Sequence, residues 1–448
     1  MEQIKFINYR CLKSLSLEFK SGLNILIGDN ASGKTTVIRG VRSALSSFFT
    51  GYSDTYTKFL GLSKDDFMEV ISSEGVVLNS PPIELEFIYA DLLAYPEIMG
   101  TLWQNEESKG ILALESEKAG SGSRTKTGGL KHLKDYAGSL YRSLFDHETK
   151  TQQYALPLFA SFSTEDIHSS RKIDSRIFKE YFHKPSFGYY ECLQGEGFFN
   201  YWIKRLIVLA EGQKNLQEIE IVRNALRKVL GPEGCGIFRD IVIRPHQGYV
   251  YFILSDGREV KSEHLSDGYQ RLANIVVDLA FRCAILNRAI WGEDACKNTI
   301  GTVLIDEIDL HLHPTLQSQI VNSLKHTFEN IQFIISTHAP MVLSGIETTT
   351  ENRIYKLAYS EERGYTATPV HTYGLDASMI IKTQMNEVPR VRAVQQELDA
   401  VWELINADRY NEARPLIDLL REKYGDAIPE VSEMEAMLNF EIEEDEED

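Results

Sequence analysis

We predict an α/β fold, with a mixed and parallel sheet around a glycine-rich loop, an inserted and mainly helical lobe, and a C-terminal helical hairpin. The first observation is a continuous apolar strand, Leu23–Ile27, that runs into the glycine-rich segment GDNASGKTT and then a helical pattern. The second is a pair of apolar strands, GTVLIDE and QFIISTH, with a helical segment between them. A strand–helix–strand unit of this kind favours parallel pairing.

The elements follow in chain order. Alternating or continuous apolar residues predict strands near 4–7, 15–19 and 23–27, a helix over 35–49 and a strand over 83–90, so residues 1–90 begin the α/β domain. Residues 91–237 are irregular, with a Gly/Ser/Lys-rich stretch at 119–129 and helical segments at 201–213 and 216–230. We expect this block to be the inserted lobe. Residues 238–373 resume the domain with two strands, a long amphipathic helix and the GTVLIDE and QFIISTH strands.

The C-terminal part changes character after residue 373. Apolar stripes through 387–425, broken near 406–408, predict two short amphipathic helices within a helical region spanning 374–440. The hairpin packs either on its own domain or on a partner. All but one of residues 441–448 are acidic, which predicts a solvated, disordered tail.

Composition excludes several classes of protein. The chain has 448 residues, 43% of them hydrophobic, which is ordinary for a globular protein. The 65 acidic against 47 basic residues give a net charge of −18, which argues against a polycation that grips DNA. The five widely spaced cysteines predict reduced thiols in a cytoplasmic protein. Residues 1–19 lack an apolar core, so we expect no signal peptide, and no apolar run reaches membrane-span length.

The segment from Gly28 to Thr35 matches the phosphate-loop pattern GxxxxGK[ST] in the strand-to-helix context that the motif requires. Its glycines permit a tight loop of inward-pointing N–H groups, and the following helix adds a positive dipole. Lys34 would neutralise the β- and γ-phosphates, and Thr35 would supply a hydroxyl to Mg²⁺. The predicted nucleotide-binding residues of the loop are Gly28, Asn30, Ala31, Ser32, Gly33, Lys34, Thr35 and Thr36.

Two carboxylates end the strand TVLIDE, where open α/β sheets place their ligands. We predict that Asp306 holds Mg²⁺ through water and that Glu307 is the general base for the attacking water. His338 ends the next strand and is predicted to sense the γ-phosphate or orient that water. His311 and His313 leave a zinc site open as an alternative, although no further ligand stands at metal spacing.

The segment LSDGYQR opens the long helix, and Ser266 is its expected N-cap. At this point the chain resembles ATP-binding-cassette (ABC) ATPase heads of the RecF/SMC kind. LSDGYQR resembles the LSGGQ signature, with Asp267 in place of one glycine and Tyr269 inserted before Gln270. Two further segments resemble the OLD/RecF-like branch. They are LIDEIDLHLHP, and NYR (8–10) followed by LNILIGDNASGKTT. No Toprim-like acidic motif follows the last core strand, which argues against an OLD-type nuclease.

The resemblance implies a sandwich of two heads around ATP. Ser266 and Gly268 of one head would contact the γ-phosphate held by the other, and Arg10 would contact the nucleotide or the partner head. The family's glutamine-loop residue is not evident, and Gln152 or Gln153 is the best candidate. Basic residues at 124, 126, 131 and 134 suit either a solvated loop or nucleic acid.

The C-terminal sequence, from about residue 372 to 425, resembles that of PtuA-type ATPases of Septu and certain retron antiphage systems. That resemblance implies an ATPase subunit that dimerises through ATP and controls an HNH endonuclease. In retron systems a reverse transcriptase and its nucleic acid would join the complex, with DNA contact through the assembly. Two alternatives stay open: a RecF-like repair ATPase that acts on DNA directly, and an ATP-gated scaffold with little turnover.

Overall fold

The computed structural model describes residues 1–52, 58–68, 70–71, 77–78, 81–89, 109–115, 125–144, 152, 154–164, 184–195, 198–213, 215–385 and 390–447. The chain divides into two units, Met1–Ala377 and Ser378–Asp448. The strands of the first unit are β1 Gln3–Tyr9, β2 Leu12–Glu18, β3 Leu23–Ile27, β4 Val70–Ile71, β5 Val77–Leu78, β6 Ile83–Ile88, β7 Lys109–Leu114, β8 Lys126–Gly128, β9 Leu158–Phe162, β10 Phe238–Arg244, β11 Tyr249–Leu254, β12 Glu259–Lys261, β13 Gly301–Ile305, β14 Ile331–Ser336, β15 Arg353–Ser360 and β16 Gly364–Val370.

The helices carry the rest of the regular structure. They are α1 Lys34–Ser46, α2 Lys131–Ser143, α3 Phe199–Gly212, α4 Leu216–Leu230, α5 Asp267–Trp291, α6 Ala295–Asn298, α7 Pro314–Thr327, α8 Pro340–Ser344, α9 Ala377–Gln384, α10 Arg392–Asn406, α11 Tyr410–Tyr424 and α12 Pro429–Glu447. The predicted strands near 4–7, 15–19 and 83–90, and the predicted helices over 201–213 and 216–230, correspond to β1, β2, β6, α3 and α4.

The central sheet has six strands in the order β16-β15-β3-β14-β13-β9. The strands from β15 to β9 are parallel, and β16 pairs antiparallel with β15. β3 and β14 are buried at every position, as expected for strands covered on both faces. Because parallel strands end at one edge, the residues that follow β3, β13 and β14 gather there.

Smaller antiparallel sheets flank the central one. They have the orders β2-β1-β6-β7-β8, β10-β11-β12 and β4-β5. The predicted inserted lobe, 91–237, therefore contributes to the sheets of the first unit in its described part, since β7 pairs with β6 and β9 pairs with β13. LFASF is a short apolar run that joins the sheet through backbone pairing, and its sequence alone does not reveal that pairing.

The long helix α5 organises the layer behind the sheet. Most of its 25 residues are buried, and Asp278 at its middle accepts hydrogen bonds from Trp202 Nε1 at 2.6 Å and Arg282 Nε at 2.6 Å. Arg282 also donates to the carbonyls of Gly188 and Tyr190 at 2.7 and 3.1 Å. These charge-assisted bonds fix α3 and the segment 184–195 to α5.

The second unit contains a three-helix arrangement in place of the predicted two-helix hairpin. α12 adds Val431, Met434 and Leu438 to a buried cluster formed with α10 and α11. The apolar stripes of α10 and α11 are covered in this way by their own chain. The helix α12 continues to Glu447, through the run that we expected to be a disordered tail. Glutamate has a high intrinsic helix propensity, which favours this continuation.

Candidate nucleotide-binding site

The phosphate loop joins β3 to α1 through backbone that requires glycine. Gly28 has φ +145°, and a Cβ built there would lie 2.2 Å from the carbonyl oxygen of Leu357 and 2.7 Å from Ser32 Oγ. Gly33 has φ +93° and precedes the first residue of α1. Ala31 also adopts a left-handed conformation, with φ +65°. The loop is therefore a tight concave turn at a helix N-terminus, which suits an anion.

Lys34 lies across this turn with 6% of its surface exposed. Its Nζ donates to the carbonyl oxygens of Gly28 at 2.8 Å and Asp29 at 3.0 Å. Burial lowers the pKa of Lys34, while the nearby carboxylates of Glu307 and Asp306 act in the opposite direction. A cation held by carbonyls of its own loop is ready to exchange them for phosphate oxygens, so the loop fits a triphosphate.

The two acids stand at the C-terminal end of β13, beside the ends of β9 and β14. Asp306 N donates to Phe162 O at 2.9 Å, and Glu307 N donates to Ser336 Oγ at 2.8 Å. The same Ser336 hydroxyl donates to Asp306 Oδ1. Glu307 is half-buried with φ +53°, an uncommon backbone for a residue other than glycine. Strain of this kind often marks a functional position, which supports the predicted role of Glu307.

The N-terminus of α5 packs on the segment that follows these acids. Arg271 donates to the carbonyl oxygens of Asp306 and Glu307 at 2.6 and 3.0 Å. A Cβ on Gly268 would lie 2.4 Å from His311 O, so glycine permits this close approach. Ser266 is exposed and has the extended backbone of an N-cap, and its carbonyl accepts from Gln270 N at 2.8 Å. Its hydroxyl is available to a ligand from outside the chain.

His338 follows β14 and is half-buried at the same edge of the sheet. Its backbone N–H lies 3.4 Å from Asp309 Oδ1, which also accepts from Thr337 Oγ1 at 2.6 Å. Thr337 N in turn donates to Leu26 O at 3.1 Å. Asp309 therefore links the loop after β13 to the loop after β14, and it holds the backbone that carries His338.

Arg10 occupies the turn between β1 and β2, with φ +53°. Its guanidinium lies 3.5 Å from Asp66 Oδ1, and its N–H donates to Asp66 O at 2.9 Å. The neighbouring Cys11 Sγ lies 3.7 Å from Thr36 Oγ1, which places this turn beside the first turn of α1. Arg10 thus lies near the phosphate loop, but its guanidinium is paired with Asp66.

The candidate for the glutamine loop, Gln152, lies at the wrong end of the sheet. Its amide donates to Tyr154 O at 2.9 Å and Leu286 O at 2.7 Å, ahead of β9. The phosphate edge of β9 is its other end, where Phe162 meets Asp306 and is followed by Ser163. The other candidate, Gln153, is outside the described residues. Apolar strands without a glutamine close by give no sequence signal for this position.

The oxygen-rich edge suits a hard cation such as Mg²⁺. Asp306 and the exposed Thr35 would hold it, and the ion would neutralise charge on the phosphate oxygens. His313 caps α7, since its Nδ1 accepts a hydrogen bond from Thr315 N at 3.4 Å. Across the described residues, no cluster of three His, Cys, Asp or Glu side chains forms a metal site.

Sequence reasoning missed several side chains that organise this site. They are Ser336, Arg271 and Asp309. Ser336 belongs to the predicted QFIISTH strand, and Arg271 belongs to the predicted signature segment. The sequence therefore placed both residues in the correct segment but did not predict their contacts. Only the pairing of β13 with β14 brings the serine beside the acids.

The phosphate loop, the paired acids and the signature helix on one sheet edge define an ATPase of the ABC type, in the RecF/SMC branch. The family described as "AAA domain, putative AbiEii toxin, Type IV TA system" matches residues 23–344, and the chain belongs to it. The resemblance stated from the sequence is thereby confirmed.

Relatives carry names consistent with this assignment. The chain is 39% identical over 32% of its length to the retron Vc95 probable ATPase of Vibrio cholerae serotype O1 biovar El Tor, spanning 27% of that protein. It is 22% identical to the retron Ec83 probable ATPase of Escherichia coli, with 76% of this chain and 69% of that protein covered. It is 23% identical to the Septu protein PtuA of Bacillus thuringiensis, over 81% of this chain and 76% of that protein.

The solved structures share less sequence identity with this chain than these relatives do. An SMC head bound to the C-winged helix domain of ScpA has a TM-score of 0.47 and 14% identity, covering 84% of this chain and 98% of that one. A RecF structure titled with ATPrS has a TM-score of 0.38 and 15% identity, covering 82% and 97%. Within the part of the chain that the structure describes, every helix is too short or too polar to cross a membrane.

Proposed function

We propose that this chain is the ATP-binding and ATP-hydrolysing subunit of a bacterial antiphage defence complex in the cytoplasm. It dimerises through ATP and controls an associated HNH nuclease. The observation that carries the ATPase role is the position of Asp306 and Glu307. Both acids act on the pKa of Lys34, and the Ser336 hydroxyl bonds to both residues. The names of the retron and Septu relatives support the defence role.

In this proposal the triphosphate binds the loop between Gly28 and Thr36, and Thr35 and Asp306 would hold the Mg²⁺ that neutralises phosphate charge. Glu307 accepts a proton from the attacking water as that water adds to the γ-phosphorus, and the bond from this phosphorus to the β–γ bridging oxygen breaks to release ADP and phosphate. His338, on the backbone held by Asp309, orients the same water. The exposed Ser266 of a second head completes the phosphate site, since its hydroxyl makes no capping hydrogen bond within its own helix and that helix N-terminus favours an anion.

The test compares three variants of the full chain. Glu307→Gln should bind ATP with Mg²⁺ as wild type does, and its hydrolysis rate should fall by about 10²–10⁴-fold. Lys34→Ala should lose ATP binding, because it removes the charge that faces the phosphates. Glu293→Gln changes an exposed acid away from this edge and should hydrolyse normally. Wild-type hydrolysis in Glu307→Gln would refute the assignment of the base.

Association is tested with the same protein. ATP added to Glu307→Gln should raise the mass seen by light scattering to that of a dimer. Adding Ser266→Arg should prevent this, because bulk and charge then occupy the shared phosphate site. Ser255→Arg, at another exposed serine, is the control. Association that is indifferent to both ATP and Ser266 would contradict the two-head arrangement.

A further inference from the structure

Two tyrosines stand beside the phosphate loop and take no part in the chemistry described above. Tyr359 and Tyr365 are directly opposite residues of the β15–β16 hairpin. Their ring centroids are 4.9 Å apart, with 50° between the ring planes. Tyr359 is 61% exposed, which is unusual for a large aromatic side chain. The hairpin therefore presents flat aromatic surface to solvent.

The topology places this surface at the phosphate edge. β15 runs parallel to β3, with Lys356 opposite Ile27, so the end of β15 lies at the same edge as Gly28. Tyr365 Oη lies 3.4 Å from Ala31 O. A Cβ at Gly33 would lie 3.6 Å from Tyr365 Cδ1, so the ring packs on the loop itself.

The other side of this surface is the β1–β2 turn. Leu12 Cδ2 lies 3.3 Å from the same Cβ position at Gly33, and Cys11 lies beside Thr36. Burial raises the pKa of Tyr365, and the Cys11 thiol adds to the effect. The half-buried Tyr365 ring is thus held between the loop and the turn, while its exposed neighbour extends the aromatic surface outward.

We propose that Tyr359 and Tyr365 form a stacking platform for the base of the bound nucleotide. The inference rests on the proposed ATP-binding function. The phosphates fill the loop, so the base must leave it along one flank, and this flank offers aromatic rings in contact with the loop. Planar bases stack on tyrosine rings, and this stacking depends on the π-face of the base and not on its hydrogen-bonding groups. The platform therefore contributes affinity for the base and leaves phosphate binding to Lys34.

The test separates the base from the phosphates. Dissociation constants of Mg²⁺·ATP and of Mg²⁺·tripolyphosphate, which has no base, are measured by calorimetry on the full chain. Tyr359→Ala and Tyr365→Leu should each weaken ATP binding by about 5- to 150-fold and leave tripolyphosphate binding unchanged. Tyr365→Phe keeps the ring and should bind ATP within about twofold of wild type. Tyr373→Ala, at an exposed tyrosine after β16, is the matched control.

Each outcome of this experiment supports or overturns the proposal that the two tyrosines bind the base. Weakening of ATP and tripolyphosphate by the same factor would mean that the tyrosines support the loop, and unchanged ATP affinity would mean that they face some other molecule. Either result overturns the platform while leaving the ATPase proposal intact. Wild-type protein that binds neither ligand would overturn the proposed function, and the platform with it.

Discussion

At the scale of single residues, Ser336 joins the two acids of the site. It is fully buried at the end of β14, donates to Asp306 Oδ1 and accepts from Glu307 N. The serine thereby sets the position of the acid that would hold Mg²⁺ and of the acid that would act as base. A buried partner of two polar groups is costly to remove, because both lose a hydrogen bond away from water.

Ser336→Ala should therefore lower the rate of ATP hydrolysis by about 5- to 150-fold, which corresponds to about 1–3 kcal/mol. ATP affinity should change by less than about threefold, because Lys34 and the loop contribute most of the phosphate contacts. Steady-state kinetics and calorimetry measure the two effects. Ser318→Ala, whose hydroxyl donates to Thr315 O within α7, should hydrolyse ATP normally. Loss of ATP binding with an unchanged rate would contradict the role given to Ser336.

At the scale of elements, the start of α5 depends on the absence of a side chain at Gly268. The helix can approach the loop after β13 because no Cβ meets His311 O. The contact brings Arg271 to the carbonyls of the two acids. The signature helix thus has a role within its own head as well as the role implied across two heads.

Gly268→Ala should push this helix start away from the loop. We expect a loss of about 1–3 kcal/mol in the free energy of unfolding, typical of overpacking, and slower hydrolysis as Arg271 shifts. Urea denaturation and steady-state kinetics measure the two effects. Gly212→Ala tests the opposite case, since its Cβ would meet nothing within 4 Å at the end of α3. That variant should be unchanged or slightly more stable. Wild-type stability and activity in Gly268→Ala would show that the start of α5 does not pack tightly against the loop after β13.

The elements differ in how far sequence could predict them. The phosphate loop is local, because one strand, one loop and one helix carry its whole pattern, and β3 and α1 lie close to where the sequence predicted them. β9 was not predicted, because LFASF becomes a core strand only through pairing with β13, more than a hundred residues later. Gln152 was misplaced for the same reason. The helix α12 was not separated from the helical region predicted over 374–440, because its apolar positions, Val431, Met434 and Leu438, are interspersed with acidic residues.

At the scale of the whole molecule, the chain combines a nucleotide-binding unit with a small helical unit that has its own core. Nine buried residues from α10, α11 and α12 form that core. Ion pairs across the unit include Lys423 with Glu397 at 2.6 Å, between α11 and α10, and Arg390, ahead of α10, with Glu430 at 2.6 Å. The buried cluster supplies the unit's stability, since exposed pairs contribute little. What remains for a partner is the surface around that cluster.

Trp402 is one of the partly buried side chains that pack on this core and also reach the surface. It packs against the cluster but stays half-buried, whereas Met434 is fully buried within it. Met434→Ala should therefore destabilise the second unit by about 2–5 kcal/mol, seen as a lower melting temperature. Trp402→Ala should lower the melting temperature less, because part of its ring already contacts water.

On the proposed function, Trp402 anchors the nuclease partner. Trp402→Ala should weaken that complex by about 30- to 1000-fold and spare ATP hydrolysis, since aromatic anchors dominate many interfaces. Co-purification of the two proteins and the rate of ATP hydrolysis measure this. Trp291→Ala, at a half-buried tryptophan that ends α5, should leave the complex intact. If Trp402→Ala keeps its partner while the protein melts at a lower temperature, the tryptophan serves packing alone, and the partner must bind elsewhere.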